Sequence, residues 1–439
     1  STANRAMIGG MVGNNSSGTT SIVYGVTRDK VISLNTILSD GKKVVFQALS
    51  PEDFKQKCEQ KDLEGTLYRQ AFEELSLSEA RAEIHAQFPK KSIHRRNTGY
   101  AVDELLKASQ FEGTDNFNFC KLLAGSEGTL AFTTEIKISL DPLPDPIEIV
   151  VAAHFESIHE SMKSAQVAMK YPVTAVELMD KIILDCTKES IEYSKNRYFV
   201  EGDPKALLMI EFRGKTLEEA MAKGEALIAD LKAAGYGYAY PIIEPEKVAS
   251  AWALRAAGLG LLGNIPGDPK AVACIEDTAV DIEDLADYID ELDGILAGFN
   301  QNPVHYAHAG AGEIHMRPIL DLKKAEDVEE FYQISLASAT LVKKYQGSLS
   351  GEHGDGRVRA AFIPMMVGEK NYQLFRRIKY TWDPKNIFNP GKIVDAAPMN
   401  QFLRYEIGMH TPDPETVFDF SAAGGILRLA EKCNGSGDC

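Results

Sequence analysis

The stretch LLMIEFRGKTLEEAMAKGEALIADLKAAG, residues 207–235, holds a strand, a helix start and a helix stop in one run. Residues 207–212 are strand-like in their apolar run. Thr216 and Glu219 form a capping box, Leu217, Met221, Leu227, Ile228 and Leu231 recur at helical spacing, and Gly235 stands where a helix ends. Residues 281–299 repeat the scheme. Ile282, Leu285, Ile289, Leu292, Leu296 and Phe299 share one face, and the acids opposite are expected to be solvated. Around these runs strand and helix signals alternate with short connections, which predicts an α/β or α+β domain with helices packed on one sheet.

Upstream, Pro142, Pro144 and Pro146 make a stiff linker and the expected end of a first domain. Within that domain, residues 31–38 and 44–46 are β-rich and flank Ser39-Asp40-Gly41-Lys42, the turn of a hairpin. Residues 51–88 read as helical and charged, 95–100 as a short loop, and 122–140 as a loop followed by a strand. Downstream, residues 380–394 are a turn-dense return, and 398–419 read as a linker. The expected divisions are 1–142, 143–379, 380–397 and 398–439. The chain opens without Met in a Gly, Asn and Ser-rich loop and closes on a cysteine, which reads as an interior piece of a longer protein.

The 439 residues are 44% hydrophobic and 25% charged, an ordinary globular composition. A formal charge of −16 with no long basic cluster argues against nucleic acid as a partner. No apolar run reaches the roughly 18–20 residues of a membrane span, and no signal peptide is evident. Cys58, Cys120, Cys186 and Cys274 are scattered singly, which fits small buried side chains in a reducing, cytoplasmic compartment. Cys433 and Cys439 could begin a metal or cluster site, but two thiolates do not complete one.

The chemistry concentrates in two motifs. HAGAGEIH, residues 308–315, sets two imidazoles across a Gly-rich bend, and GEHGDG, residues 351–356, adds Glu352 and His353. If the two meet, two imidazoles and a carboxylate form a set suited to Zn²⁺, Mn²⁺ or Fe²⁺, with one imidazole left as a base. Read singly, the histidines could equally be core residues and the glycines turn residues. GGMVGNNSSG, residues 9–18, followed by Tyr24-Gly25, and AGSEGTL, residues 124–130, offer unobstructed backbone amides to a pyrophosphate or a flavin edge. Neither has the Rossmann or Walker spacing. Arg255 stands on an apolar helix, where it could grip a carboxylate through its fork or simply snorkel.

GGMVGNNSSGTTSIVYG (9–25), LLAGSEGTLAFTTEI (122–136), HAGAGEIH (308–315) and GEHGDGRVR through NPGK (351–392) together resemble the vanillyl-alcohol oxidase (PCMH-type) superfamily of FAD-linked oxidases and dehydrogenases. The likeness is to the branch acting on D-2-hydroxy acids, the D-2-hydroxyglutarate and D-lactate dehydrogenases. The resemblance implies an α+β fold: a partial PCMH-type FAD-binding domain over 1–142, a ferredoxin-like cap or substrate domain over 143–379, a return over 380–397, and over 398–439 a linker to an iron-sulfur region. It implies FAD lined by Gly9, Gly10, Asn14, Gly18 and Gly25 on one side and by Gly125, Ser126, Glu127, Gly128 and Thr129 on the other, with Asn389 and Pro390 returning to it. By position, His308, His315 and Glu352 match the ligands of a divalent metal, zinc or manganese, His353 the catalytic base, and Arg255 a substrate-carboxylate arginine. A 4Fe-4S cluster would belong to residues beyond 439.

The family also has a lysine just before the strand that leads to the next cap helix, where it helps bind a distal carboxylate, but Cys274-Ile275-Glu276-Asp277 offers none and Lys270 is off register, which leaves the identity of the 2-hydroxy acid open. The implied reaction sends a hydride to FAD and yields a 2-oxo acid, with electrons passing to an acceptor that the sequence does not identify. Two other readings stand beside it: a catalytically silent piece unable to hold FAD, and a metal-dependent hydrolase. Homo-oligomerisation is left open.

Overall fold

In this computed structural model the described residues are 6–188, 190, 192–261 and 267–431, with backbone alone at 259–261; Cys433 and Cys439 lie outside them. The first hairpin forms as expected. Strands β1 (Val31–Ile37) and β2 (Lys43–Gln47) are antiparallel, and Gly41 takes the left-handed conformation at φ +87° in the turn. β3 (Phe132–Ile138) joins the other edge of β1. Helices Pro51–Glu59, Leu63–Leu75 and Ser78–Gln87 follow β2, and Phe54, Leu67, Tyr68, Leu75 and Ile84 are buried in a core shared with Phe46, Phe117, Phe119 and Trp382.

The second region runs through β4 (Ile147–Phe155), β5 (Val173–Asp180), β6 (Ala206–Gly214), β7 (Ile242–Ile243), β8 (Lys270–Ala271), β9 (Ile275–Ala279), β10 (Val304–His308), β11 (Glu313–Arg317) and β12 (Ile319–Leu320). Seven of these form one antiparallel sheet in the order β7-β4-β6-β5-β10-β11-β9, while β8 pairs with β12. The order β7-β4-β6-β5, with helix Ile158–Ala168 after β4 and helix Leu217–Ala234 after β6, is the ferredoxin-like arrangement. β9, helix Leu285–Gly298, β10, β11 and helix Ala325–Lys344 repeat most of that unit, and β10 of the second unit pairs with β5 of the first. The fold is thus mixed and α+β.

Alternation along the strands sorts the sheet into two faces. Ile149, Val151, Ala153, Leu178, Leu208 and Ile210 pack with the helices of the ferredoxin-like units. Val150, Ala152, Met179, Leu207, Met209, Val304 and Tyr306 face the other way, toward helices Lys181–Lys188 and Pro245–Leu261.

The Thr216 hydroxyl accepts from Glu219 N at 3.2 Å, and Gly235 ends the helix in the left-handed region at φ +74°. Leu217 departs from the expected stripe. It is 45% exposed, and Ala220, Gly224, Leu227 and Leu231 face the sheet instead, with Gly224 so close to Ile149 and Val151 that an added Cβ would lie 3.1–3.2 Å from them. The acidic face of helix Leu285–Gly298 is largely solvated as expected, with Asp287, Asp290 and Glu291 exposed, and its acids make pairs at the surface. Asp284 pairs with Lys90, Asp287 with Lys163, Asp290 with His159 and Asp293 with His305, because neighbouring elements bring a base to each.

Candidate functional site

β10 and β11 are a hairpin whose register sets Tyr306 opposite His315 and His308 opposite Glu313. All four side chains lie on one face because the strand period is two. Gly312 closes the turn at φ +70°, and a Cβ there would fall 2.1 Å from the Val280 carbonyl, so only glycine fits. The ring centroids of His308 and His315 are 5.3 Å apart.

The GEHGDG loop is held above this face by Asp277. Its buried carboxylate accepts from Glu352 N at 2.7 Å, His353 N at 3.0 Å and the Ser350 hydroxyl at 2.5 Å. The loop then meets the hairpin. Ligand atoms of His308, His315 and Glu352 all lie within 4.8 Å of one another. Glu352 Oε1 is 3.5 Å from His308 Nε2, 3.9 Å from His315 Nε2 and 3.4 Å from His353 Nε2. The two expected motifs therefore converge.

A carboxylate stands behind each imidazole, hydrogen-bonded to His308 and in contact, without a hydrogen bond, with His315. Both oxygens of the buried Glu177 lie 2.9 Å from His308 Nδ1, and Glu276 lies 3.4 Å from His315 Nδ1. Both Nε2 atoms are thereby turned toward Glu352, the carboxylate–histidine–metal arrangement. Glu276 is itself held by a bidentate Arg317 at 2.7 and 2.8 Å.

Protonation states follow from these contacts. Burial lowers the His315 pKa despite Glu276, so its ring is neutral at pH 7. Burial opposes the Glu352 charge, but the hydrogen bonds of His308 and His353 hold its pKa well below the ordinary carboxylate range. A neutral imidazole and an ionised carboxylate are what a cation requires. His353 is disfavoured as imidazolium by burial, yet its bond to Glu352 and the charge of Asp277 raise its pKa.

Arg255 is buried rather than snorkelling. Its guanidinium lies 4.0 Å over the Tyr306 ring, Nη1 donates to the Tyr306 hydroxyl, and Nη2 pairs with Glu177. Both terminal nitrogens are thus engaged within the protein, and the buried Nε has no hydrogen-bond partner among the described residues.

The Gly-rich segments lie together on the amino-terminal side. The loop expected over residues 9–18 is partly helical, as Ile8–Gly13, and then turns through the buried Asn15 at φ +53°. Gly125 N donates to Val12 O at 2.9 Å and Glu127 N to Gly13 O, which laces the second loop to the first. An added Cβ at Gly9, Gly10, Gly18 or Gly128 meets nothing within 4 Å, so these residues border open space. Gly25 and Gly125 are glycines for local reasons, since a Cβ would meet Asp29 at 2.6 Å in the first case and Asn97 at 2.7 Å in the second. Asn14 O accepts from Asn97 Nδ2. Ser126 donates its hydroxyl to Leu123 O, and the Thr129 hydroxyl is bonded to Ser126 O and Tyr100.

Glu127 reaches across to the GEHGDG loop and accepts from Asp355 N at 2.6 Å and Gly356 N at 3.1 Å. Asn389 Nδ2 donates to Glu127 O at 2.7 Å, with Pro390 exposed beside it. Lys270 lies on β8 and donates to Gly267 O at 2.5 Å. The sequence reading missed Glu177, Glu276, Asp277 and Arg95. None belongs to a Gly-rich motif, and each reaches the site through pairings distant in the chain.

Residues 146–393 match the family of FAD linked oxidases, C-terminal domain. The whole chain aligns at 32% identity with the D-2-hydroxyglutarate dehydrogenase of Pseudomonas putida and spans 43% of that protein. It is 25% identical to a D-lactate dehydrogenase of Archaeoglobus fulgidus, over 89% of this chain and 70% of that one. In three dimensions it shares its fold with 4-ethylphenol oxidase from Gulosibacter chungangensis, with a TM-score of 0.55 and 12% identity over 88% of this chain and 70% of that one. No helix among the described residues is long and apolar enough to cross a membrane.

Proposed function

This chain belongs to the FAD-linked oxidases by their C-terminal domain, and on that premise we propose that it takes part in FAD-dependent oxidation of a D-2-hydroxy acid, of the hydroxyglutarate or lactate class, to the 2-oxo acid. The observation that carries this reading is the meeting of His308, His315, Glu352, His353 and Arg255 at one face of the seven-stranded sheet.

His308, His315 and Glu352 would hold a divalent cation, zinc or manganese, which supplies a Lewis acid that makes an alcohol proton easier to remove. FAD would lie against Gly9, Gly10, Asn14, Gly18 and Gly25, with the 125–129 loop, Asn389 and Pro390 on its other side, and would supply the hydride acceptor. The open backbone at Gly9, Gly10, Gly18 and Gly128 fits a large flat group. Arg255 would meet the substrate carboxylate, and the Tyr306 ring beneath the guanidinium fixes its plane. His353, with a 41% exposed side chain, accepts the hydroxyl proton at Nε2. Glu177 serves both ends of the site, since it orients His308 and neutralises Arg255.

The test is the visible spectrum of the purified chain with zinc and FAD, before and after D-2-hydroxyglutarate or D-lactate. Retained flavin bands that bleach with one of the acids are expected. Retained flavin that neither acid bleaches would overturn the substrate class, and hydrolytic turnover without flavin would favour a metal-dependent hydrolase.

A further inference from the structure

Arg95 is 1% exposed and belongs to the loop after helix Ser78–Gln87, far in sequence from the site. Its guanidinium faces two ways. On one side Nη2 donates to Gly18 O at 2.6 Å and Ser21 Oγ at 2.8 Å, within the Gly-rich segment proposed to lie against FAD. On the other side Nη1 donates to Glu352 Oε2 at 3.0 Å and to the fully buried Glu313.

Glu352 is correspondingly divided. Oε1 faces His308, His315 and His353, while Oε2 accepts from Arg95 and from the Ser17 hydroxyl at 3.2 Å. One carboxylate thus has its cation-facing oxygen on the cap side and its other oxygen tied to the 17–21 segment. Glu313 shares the same guanidinium, and its Oε1 lies 3.9 Å from His315 Nε2, so Arg95 also touches the carboxylate beside that imidazole.

We propose that Arg95 is a positioning residue that couples the cation site to the 18–25 segment, so that cation binding orders the wall against which the flavin lies. The proposal rests on the cation reading above and concerns how that site communicates. An ion that fixes Glu352 at Oε1 fixes Oε2, and through the planar fork of Arg95 it fixes Gly18 and Ser21. By linkage, order imposed on the segment raises cation affinity by the same factor.

The test uses the whole chain stripped with a chelator, with Zn²⁺ alone as the probe. Affinity is read by calorimetry and segment order by amide hydrogen exchange. In the unaltered protein Zn²⁺ is expected to slow exchange of the 18–25 amides by roughly fivefold or more. Arg95→Lys, which keeps charge but loses the fork, is expected to bind Zn²⁺ about 10–100-fold more weakly and to lose the slowing. Ser17→Ala removes one bond to Oε2 and leaves the guanidinium in place, so it is expected to weaken Zn²⁺ severalfold and to keep the slowing. Zn²⁺ binding without slowing in the unaltered protein, or slowing that persists in Arg95→Lys, overturns the coupling and leaves the cation site standing. Failure of the unaltered protein to bind Zn²⁺ overturns the cation reading as well. Should Arg95→Lys not fold, exchange of the 18–25 amides in the unaltered protein with and without Zn²⁺ still decides it, since an absence of slowing overturns the coupling.

Discussion

Glu177 lies 131 residues before His308, yet its two oxygens are both 2.9 Å from His308 Nδ1. A carboxylate there keeps the proton on Nδ1 and leaves the Nε2 lone pair for a cation. Glu177→Gln retains an acceptor but loses the charge that makes Nε2 a better donor, so Zn²⁺ affinity is expected to fall by about 10–100-fold in a calorimetric titration. The same change frees Arg255 from its counter-ion, and an unaltered affinity would show that His308 is not a ligand. His353 is the complementary case, because the proposed reaction asks it only to move a proton. In flavin-loaded enzyme His353→Asn is expected to cut turnover at least about a hundredfold while bound zinc, by elemental analysis, stays stoichiometric. Turnover like that of the unaltered enzyme would remove His353 from the role of base.

At the scale of elements, β10 carries function on one face and a stabilising contact on the other. His305 N donates to Asp180 at the end of β5, and its Nε2 lies 2.8 Å from Asp293 on helix Leu285–Gly298. Burial works against the imidazolium, but the bonds to Asp180 and Asp293 outweigh it and raise the pKa to about 9. An unfolded histidine titrates near 6.5, so the contribution is complete below about pH 6.5 and is lost as pH rises through about 9. Urea unfolding should therefore show a stability loss of about 3 kcal/mol between these limits, and His305→Gln should flatten that interval. A slope that survives in His305→Gln would place the titration elsewhere. These elements also show what could be read in advance. The hairpin at residues 39–42, the helix stop at Gly235 and the bend of HAGAGEIH depend on residues close in sequence, and local chemistry announces them. The Glu177–His308 contact depends on β5 meeting β10, a pairing between two ferredoxin-like units that no local pattern encodes. Arg255 was ambiguous for the same reason, since its burial depends on Tyr306 and Glu177 arriving from the sheet.

The larger apolar core runs from Phe46 and Phe119 under the small sheet to Ile149, Phe212 and Leu296 under the large one, and Trp382 is part of it, while a second core on the opposite face of the large sheet has Trp252 packed against it. The return segment closes the larger core. Lys379, 1% exposed on helix Glu369–Trp382, donates to Thr129 O at 2.8 Å, Phe388 O at 2.8 Å and Asp383 at 2.7 Å, while Asp383 also accepts from Ile387 N and Phe388 N. The buried pair thus ties the end of the cap region to the loop that precedes β3. Lys379→Met leaves the Asp383 charge buried without its partner, a loss expected to cost about 3–5 kcal/mol. The two tryptophans allow the consequence to be followed in both regions: Trp382 packs tilted against Phe46 and edge-on against Phe119, and Trp252 lies on helix Pro245–Leu261 and donates to Glu148. With each tryptophan observed alone, the other replaced by Phe, Lys379→Met should lower the urea midpoint seen by Trp382 and by Trp252 equally, because the shared core makes the regions unfold together. A midpoint that moves only for Trp382 would mean that the cap keeps its structure when the amino-terminal region is lost, and that the continuous core does not make one cooperative unit.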